Sequence, residues 1–511
     1  MGRFEFERCT PEHVGIPSKA VLRLLDKLED DHTEIHSLMI WRHGKVCAEG
    51  WWSPYAPGLR HTMMSCSKTF SGTAIGIGVD EGVLSLDEKI VDIFPEYLPA
   101  AVSDNLRNVT IRHLLCMGSG VKYENPVGPD WIKTFFSIDF VHKPGTDFLY
   151  NNAPATLLAA IITKKTGLSL EDYLKPRLFD KIGIDADNLR WFHAPDGTTF
   201  APGGLHCTTE DLLRLMILYK NKGIWNGEQV LPAAYIDEAT RSQISTAHIF
   251  GKTYVKEETH RISDNAFGYG YMMWMSRFPG VYRAEGANGQ FGIVFPEQDM
   301  VIAITQSSPE TPVSQTTLDQ VWEFAAEVKN DLPLQESIDT LCLQNRLARL
   351  AIPAEPYAPF GSFPHPGIQY VAESDGAHPE SLFYDPIVLS PEAEKITGIT
   401  AFSFDQETGR KEVCMKAIVN GERYEWRIPT DGNRRMEEIS EIYLSLVALS
   451  GYWKDTNVFI VRFRWLESVF VSDLEFAFMG DSCTVSLVPL HGDFPCFTKP
   501  VIFSIQEKKE G

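Results

Sequence analysis

Two hydrophobic periods alternate along roughly the first 330 residues of the chain, one typical of helices and the other of strands. Apolar residues recur at helical spacing over 152–166, with Gly167 directly after them, and again over 209–219. Four shorter apolar runs have the length of strands, and they lie at 35–42, 45–50, 292–295 and 300–306. Because helices are mixed with strands joined by short turns, we predict an α+β domain with helices packed against an antiparallel sheet.

After about residue 400 the pattern changes to strict alternation of apolar and other residues. The runs 413–419 and 424–428 flank Asn420-Gly421, and this dipeptide between alternating runs is a strong hairpin signal. A second pair of runs, 474–478 and 483–487, flanks Gly480-Asp481. The last part of the chain is therefore predicted to be an antiparallel β domain, either an open sheet or a barrel.

The segment between these two regions is rich in proline. Five prolines lie within 353–366, and since proline has no backbone N–H to donate, the segment suits an extended connector. A chain of 511 residues also exceeds the size at which a single hydrophobic core stops growing. We therefore predict a first domain at 1–335, a proline-rich connector at 336–385 and the antiparallel β domain at 386–511.

Charge and composition narrow the classes of partner and compartment. The chain has 47 Lys and Arg against 68 Asp and Glu, a formal net charge of −21, which disfavours proteins that neutralise nucleic-acid phosphates or anionic membranes. The first residues lack the apolar run of a signal peptide, and no stretch has the ~18 apolar residues of a membrane span. Nine scattered cysteines without a Cys-x-x-Cys pair favour free thiols. We expect a cytoplasmic protein that binds neither nucleic acid nor membrane.

The first group of residues with chemical potential is Ser65-Cys66-Ser67-Lys68, which leads into a helix of small residues. Ser65 and Lys68 are three positions apart, so on a helix both side chains share a face and the amine reaches the hydroxyl. A serine hydroxyl needs a neighbouring base to become a nucleophile. Lysine is a base only when neutral, and lowering its pKa from ~10.4 to ~7 costs about 4–5 kcal/mol, which burial or a second cation must supply.

Two further segments carry candidate groups. Tyr150-Asn151-Asn152 precedes a long apolar helix, and a phenol beside a lysine can act in proton transfer while the Asn152 amide orients the lysine or a substrate carbonyl. The glycine-rich stretch 284–292 enters an apolar strand, and Gly286 would let a strand edge approach a ligand and present a backbone N–H to an oxyanion. Taken singly, each segment also fits an ordinary capped loop or hairpin.

Together, in this order, the three elements resemble the serine β-lactamase and penicillin-binding-protein superfamily, and more closely its class C-like esterase and amide-hydrolase branch. The resemblance covers roughly residues 10–330 and implies a helical subdomain against a subdomain with a central antiparallel sheet. It implies that Ser65 is the nucleophile, that Lys68 and Tyr150 form the base network, and that Asn152 contacts substrate. Gly286 and Ala287 would bind substrate at the third element, with the backbone N–H groups of Ser65 and Ala287 forming the oxyanion hole.

One departure from the superfamily pattern affects the expected substrate. The third element usually begins with lysine or histidine, as in Lys-Thr-Gly, whereas here the first position is Ala284. We therefore expect a serine hydrolase that cleaves an ester or amide bond of a small molecule or peptide through an acyl-enzyme, without a cofactor or metal. Three alternatives stay open: a D-amino-acid aminopeptidase or amidase in which Glu285 selects a cationic amine, a β-lactamase or D-Ala-D-Ala carboxypeptidase, and a non-catalytic ligand-binding member. A homo-oligomer is also left open.

Overall fold

The computed structural model divides the chain into two compact units, Met1–Leu350 and Ala351–Gly511. It describes residues 5–30, 33–123, 128–249, 263–308, 314–329, 331–357, 361–373, 398–406, 411–419, 421–438, 445–491 and 500–505. The part of the predicted connector and β domain at 374–397, together with Pro359 and Asn420, lies outside the described residues.

A central sheet of seven strands organises the first unit, and three short strands form a second sheet beside it. The strands of this unit are β1 (Glu7–Arg8), β2 (Glu34–Arg42), β3 (Lys45–Trp51), β4 (His61–Thr62), β5 (Arg190–Trp191), β6 (Leu205–Cys207), β7 (Ile224–Trp225), β8 (Glu228–Gln229), β9 (Trp274–Met275), β10 (Tyr282–Gly286), β11 (Gln290–Phe295) and β12 (Met300–Ser307). The central sheet has the order β1-β3-β2-β12-β11-β10-β9. All its pairs are antiparallel except β1 with β3.

Helices cover both faces of the central sheet and form a helical region beside it. Their bounds are α1 (Ser18–Asp30), α2 (Ser67–Asp80), α3 (Ile90–Ile93), α4 (Asp104–Arg107), α5 (Ile111–Leu115), α6 (Trp131–Ser137), α7 (Asn152–Thr166), α8 (Leu170–Leu174), α9 (Asp180–Ile182), α10 (Thr209–Lys220), α11 (Ala233–Ala239), α12 (Gln315–Glu327) and α13 (Ile338–Leu347). Helix α13 packs against α1 in the first unit, at a place where the sequence analysis puts the start of the connector.

Packing on the sheet follows from the apolar faces of its helices. Helix α1 buries residues at the spacing i, i+3, i+4 and i+7 and packs on α12, and the residues are Val21, Leu24, Leu25 and Leu28. Helix α10 lies on β11 and β12. A Cβ atom at Gly292 would lie 2.6 Å from the Cγ of Met216, so the absence of a side chain lets this helix approach the sheet.

Helix α2, which follows Ser65, is almost entirely buried. Its small residues allow neighbours to approach closely: a Cβ atom at Gly76 would lie 2.6 Å from the Cδ1 of Tyr235. The hydroxyl of Tyr235 donates to the backbone oxygen of Gly72 at 2.6 Å. The helix is therefore enclosed on its sides, which fixes the position of its N-terminal end.

The described residues of the second unit form ten antiparallel strands. They are β13 (Tyr370–Ala372), β14 (Ile399–Asp405), β15 (Glu412–Val419), β16 (Glu422–Pro429), β17 (Arg435–Glu438), β18 (Leu446–Trp453), β19 (Val458–Trp465), β20 (Val471–Met479), β21 (Ser482–His491) and β22 (Val501–Ile505). The strand order begins with β16 and ends with β18 and β17. Since β16 also lies against both of those strands, the sheet curls into a nearly closed barrel.

The predicted fold class is confirmed: an α+β first region with an antiparallel sheet and flanking helices is followed by a mostly β region. Within the described residues, no helix combines the length and the hydropathy needed to cross a bilayer.

Candidate active site

A strained turn between β4 and α2 carries Ser65. The turn is a short 3-10 segment, Met64–Cys66, and Met64 has φ of 47°, an uncommon left-handed conformation for a residue other than glycine. The hydroxyl of Ser67 donates to the backbone oxygen of Met64 at 2.6 Å and accepts from the backbone N–H of Leu205 at 3.2 Å. These contacts hold Ser65, which is partly exposed, at the N-terminal end of the buried helix.

Lys68 lies one turn further along and is buried beside Ser65, with 1% of its surface exposed. Its Nζ is 2.8 Å from Ser65 Oγ, 3.0 Å from Asn152 Oδ1 and 2.7 Å from the backbone oxygen of Pro202. Burial lowers the pKa of the Lys68 amine from 10.5 to about 7, because the charged form loses its hydration. The shift that the sequence argument required is therefore supplied by burial.

Tyr150 lies between Lys68 and an aromatic wall. Its ring stacks on Trp274 with 5.4 Å between centroids, and Lys68 Nζ lies 4.9 Å from the centre of the Tyr150 ring. A hydrogen bond joins the Tyr150 hydroxyl to Ser65, yet burial dominates and raises the pKa of the phenol well above its ordinary value of 10. Burial therefore favours the protonated phenol of Tyr150 over the phenolate.

Asn152 is fixed by the start of helix α7. The preceding residue, Asn151, is the N-cap: its side-chain oxygen accepts from the backbone N–H of Ala153 at 3.1 Å, and its amide nitrogen donates to the backbone oxygen of Lys122 at 3.0 Å. This capping sets the first turn of the helix, so that the Asn152 amide oxygen faces Lys68.

The β10–β11 hairpin meets the turn that carries Ser65. Gly286 pairs with Gln290 across the hairpin, and a Cβ atom at Gly286 would lie 2.5 Å from the backbone oxygen of Met63. Only glycine fits this approach. The hairpin turn, Ala287–Gly289, has an exposed first residue, and the pairing of β9 with β10 stops at Arg283, before the turn is reached.

Glu285 lies in a buried ion pair on the other face of β10. The Nε of Arg283 donates to Glu285 Oε2 at 2.7 Å, and the side-chain nitrogen of Asn265 donates to Glu285 Oε1 at 3.1 Å. Arg283 is fully buried and also donates to the backbone oxygen of Met275 at 2.7 Å. Both carboxylate oxygens of Glu285 are thus engaged inside the protein.

Two groups near the site were missed by the sequence analysis. The carbonyl of Pro202 contacts Lys68, and its only sequence signal is the turn-forming run Pro202-Gly203-Gly204. The second is the side chain of Gln290, which fills the hairpin beside Gly286.

Cys66, between the candidate nucleophile and base, is a buried packing residue. Its Sγ donates to the backbone oxygen of Gln290 at 3.3 Å, and burial raises the pKa of the thiol well above 9.0. It is therefore not a thiolate near neutral pH. Elsewhere in the described part of the chain, His, Cys, Asp and Glu form no group of three or more suited to a metal ion.

Comparison with known proteins identifies the family. The family model named Beta-lactamase matches residues 25–326. The 6-aminohexanoate-dimer hydrolase of Paenarthrobacter ureafaciens is 27% identical over 253 residues, which cover 45% of this chain and 63% of the hydrolase. The beta-lactamase of Escherichia coli (strain K12) is 27% identical over 136 residues, which cover 26% of this chain and 34% of the lactamase. The similarity thus spans less than two thirds of each of these relatives.

Solved structures show the same fold at low identity. A Bacillus anthracis protein provisionally described as a 6-aminohexanoate-dimer hydrolase superposes with a TM-score of 0.50 at 19% identity, covering 64% of this chain and 87% of its own. A Bacteroides dorei protein provisionally described as a beta-lactamase gives 0.50 at 15% identity, covering 61% and 99%. With the family model matching more than half of the sequence, the chain belongs to the Beta-lactamase family.

Proposed function

We propose that the protein hydrolyses a carboxylic ester or amide through an acyl-enzyme on Ser65, with Lys68 as the base. The observation that carries this proposal is the set of partners around Lys68 Nζ. Asn152 Oδ1 and the Pro202 carbonyl only accept hydrogen bonds, whereas the hydroxyl of Ser65 has a proton to give. A neutral amine has two N–H groups and one lone pair, so its N–H groups meet the two acceptors and its lone pair faces Ser65.

The reaction follows from that orientation. Ser65 Oγ forms a bond with the substrate carbonyl carbon as its proton moves to Lys68, and the backbone N–H groups of Ser65 and Ala287 hold the resulting oxyanion. The bond from carbon to the leaving oxygen or nitrogen then breaks, and the leaving group takes a proton from the Lys68 and Tyr150 network. Water attacks the acyl-enzyme in the same way and releases the acid. The raised pKa of Tyr150 favours a role as hydrogen-bond donor over that of a resting phenolate.

The third element supports a substrate that is neutral where it meets the hairpin. Ala284 is buried and carries no charge, and in the described hairpin the charge of Arg283 is balanced by Glu285. A substrate carboxylate therefore gains no free cation here, and the carboxylate of Glu285 is not available to a substrate ammonium. We propose an ester or amide hydrolase, and the amide link between two 6-aminohexanoate units is one bond of this class to test.

A covalent adduct tests the nucleophile directly. We expect incubation with a fluorophosphonate to add one mass increment to the intact protein and peptide mapping to place it on Ser65. Ser65→Ala should take up none, whereas Ser137→Ala, which changes an exposed serine at the end of α6, should label like wild type. In parallel, we would measure the hydrolysis of p-nitrophenyl acetate, a chromogenic cephalosporin, D- and L-amino-acid anilides and the 6-aminohexanoate dimer. Full labelling of Ser65→Ala would refute the assignment.

The pKa of Lys68 predicts the acidic limb of the pH profile. Because the active form is the neutral amine and burial sets its pKa at about 7, kcat/KM should be low at pH 5, rise tenfold per pH unit and level off above about pH 8. The measurement is kcat/KM for p-nitrophenyl acetate between pH 5 and 9, corrected for spontaneous hydrolysis. A profile that is flat between pH 5 and 7, or one that rises only near pH 10, would contradict a depressed lysine pKa.

A further inference from the structure

The side chain of Gln290 lies in the β10–β11 hairpin, on the face that meets the turn carrying Ser65. Gln290 is the first residue of β11 and is fully buried. A Cβ atom at Gly286 would lie 3.0 Å from the Cβ of Gln290 and 2.9 Å from the Cβ of Met64. Paired residues of an antiparallel hairpin share a face, so Gln290 lies on the face that meets the turn carrying Ser65.

The amide of Gln290 is fully used within the protein. Its Nε2 donates to the backbone oxygen of Gln306 at 2.7 Å and to the backbone oxygen of Ala287 at 3.2 Å, while its Oε1 accepts from the backbone N–H of Gln306 at 3.3 Å. The register of β12 against β2 shifts between Thr305 and Gln306. At this irregular place the side-chain amide binds the backbone N–H and C=O of Gln306 as a neighbouring strand would. It thereby ties the hairpin turn to the end of β12.

We propose that Gln290 is a positioning residue for the hydrolysis, which it serves by fixing the peptide group that follows Ala287 and so limiting rotation of the backbone at Ala287. This inference rests on the proposed function, in which the Ala287 N–H binds the oxyanion. At Gly286 the backbone oxygen of Met63 lies so close that a Cβ atom would be only 2.5 Å from it, which limits movement of the chain before Ala287. The bond from Gln290 to the Ala287 carbonyl restrains the chain afterwards. With both sides held, the N–H keeps one direction, and a preorganised donor is what stabilises a developing oxyanion.

The chemistry of the amide provides a selective test. Gln290→Glu keeps the shape of the side chain but turns a double donor into an acceptor that faces two carbonyl oxygens. The chain offers a matched control in Gln298, whose Nε2 donates to the carbonyls of Ala325 at 2.7 Å and Val328 at 3.1 Å. Gln298 follows β11 and contacts the end of α12, so Gln298→Glu makes the same chemical change at the other end of this strand.

The experiment compares both variants with wild type in hydrolysis of p-nitrophenyl acetate and in binding of phenylboronic acid. A boronic acid forms a tetrahedral adduct with a serine hydroxyl and places an oxygen where the oxyanion develops. For Gln290→Glu we expect kcat and kcat/KM to fall together by about 10- to 100-fold, with KM within about threefold. The boronate affinity should fall by a similar factor. Gln298→Glu should keep wild-type kcat and boronate affinity even where its melting temperature is lower.

Two results would overturn the inference: Gln290→Glu with kcat and boronate affinity within about threefold of wild type, or Gln298→Glu with losses as large as those of Gln290→Glu. If Gln290→Glu does not fold, Gln290→Met removes the same two donors without adding charge and is read by the same criteria. Failure of the proposed function looks different, because activity would then survive in Ser65→Ala. Activity that needs Ser65 but is indifferent to Gln290 refutes only the positioning role.

Discussion

Ser65→Ala and Lys68→Met are each expected to lower kcat by about 10⁴-fold or more, and the double variant to be no worse than either single one. In the proposed mechanism the two side chains act as one unit, since Lys68 accepts the proton of Ser65 and their polar atoms lie 2.8 Å apart. Once either side chain is absent, the other has no group with which to exchange the proton. The remaining rate then reflects the oxyanion donors and substrate binding, so KM should change little. Steady-state kinetics with p-nitrophenyl acetate, on variants whose melting confirms a folded chain, measures all three losses.

Lys68→Arg separates a base from a simple positive charge. Arginine keeps a cation at this position but stays protonated across the whole pH range of the assay. If Lys68 is the base, Lys68→Arg should be as inactive as Lys68→Met. Activity of Lys68→Arg within tenfold of wild type would mean that the site needs a charge near Ser65 and that the proton goes elsewhere.

Arg283→Met is expected to cause a large loss of stability, about 3–5 kcal/mol, because it leaves the buried carboxylate of Glu285 without its cation. Arg283 also satisfies the backbone oxygen of Met275 and the hydroxyl of Ser276, and both lose a donor in this variant. Thermal melting of the full chain should show the transition of the first unit lowered by about 6 °C or more. Removing both charges, in Arg283→Met with Glu285→Met, should recover part of the loss, since no uncompensated charge then remains.

The control for this prediction is an ion pair at the surface. Lys181 and Glu228 lie 2.6 Å apart, and their side chains are 36% and 61% exposed. Lys181→Met should therefore change stability by no more than about 1 kcal/mol. Equal melting temperatures for Arg283→Met and wild type would show that the buried pair contributes no stability, and a loss in Lys181→Met as large as that in Arg283→Met would show that burial is irrelevant.

The fold was predictable wherever apolar residues recurred with a single period, that of a helix or that of a strand, over a long segment. The helices expected at 152–166 and 209–219 match α7 and α10 to within one residue at each end, because both are buried, uninterrupted and bounded by capping residues. Helix α13 was not predicted. It begins with the capping box of Ser337 and Thr340, but of its ten residues only Thr340 and Leu343 are buried, so its apolar periodicity is weak. The prolines that follow, at 353–366, therefore led to the prediction of an extended connector that includes these residues.

The candidate site was predictable where its chemistry lies in side chains at short, regular spacing. Lys68 Nζ lies within hydrogen-bonding distance of Ser65 Oγ and of Asn152 Oδ1, as the spacing and the resemblance suggested. The catalytic roles of the three residues stay predictions. The contact of the Pro202 carbonyl with Lys68 could not be predicted, because every residue has a backbone carbonyl and residue type does not identify the one that binds.

Two features of the third element depend on the paired strands. The proposed role of Gln290 depends on its bond to Gln306 at the register shift of β12, which no local sequence pattern encodes. The pairing of Arg283 with Glu285, by contrast, follows from strand alternation, since residues two apart share a face. That signal was present in the sequence and argues against a substrate role for Glu285.

The hydrogen bond between Cys66 and Gln290 joins positions 224 residues apart. A chain synthesised from its N-terminus therefore contains Ser65, Lys68 and Tyr150 long before it contains the β10–β11 hairpin. Contacts between residues so far apart in sequence are slow to form, because the entropic cost of closing a long loop comes before any stabilisation by the contact. The appearance of activity during synthesis or refolding should accordingly lag behind the formation of the helices, and the enzymatic assay would report on the last step by which the first unit becomes native.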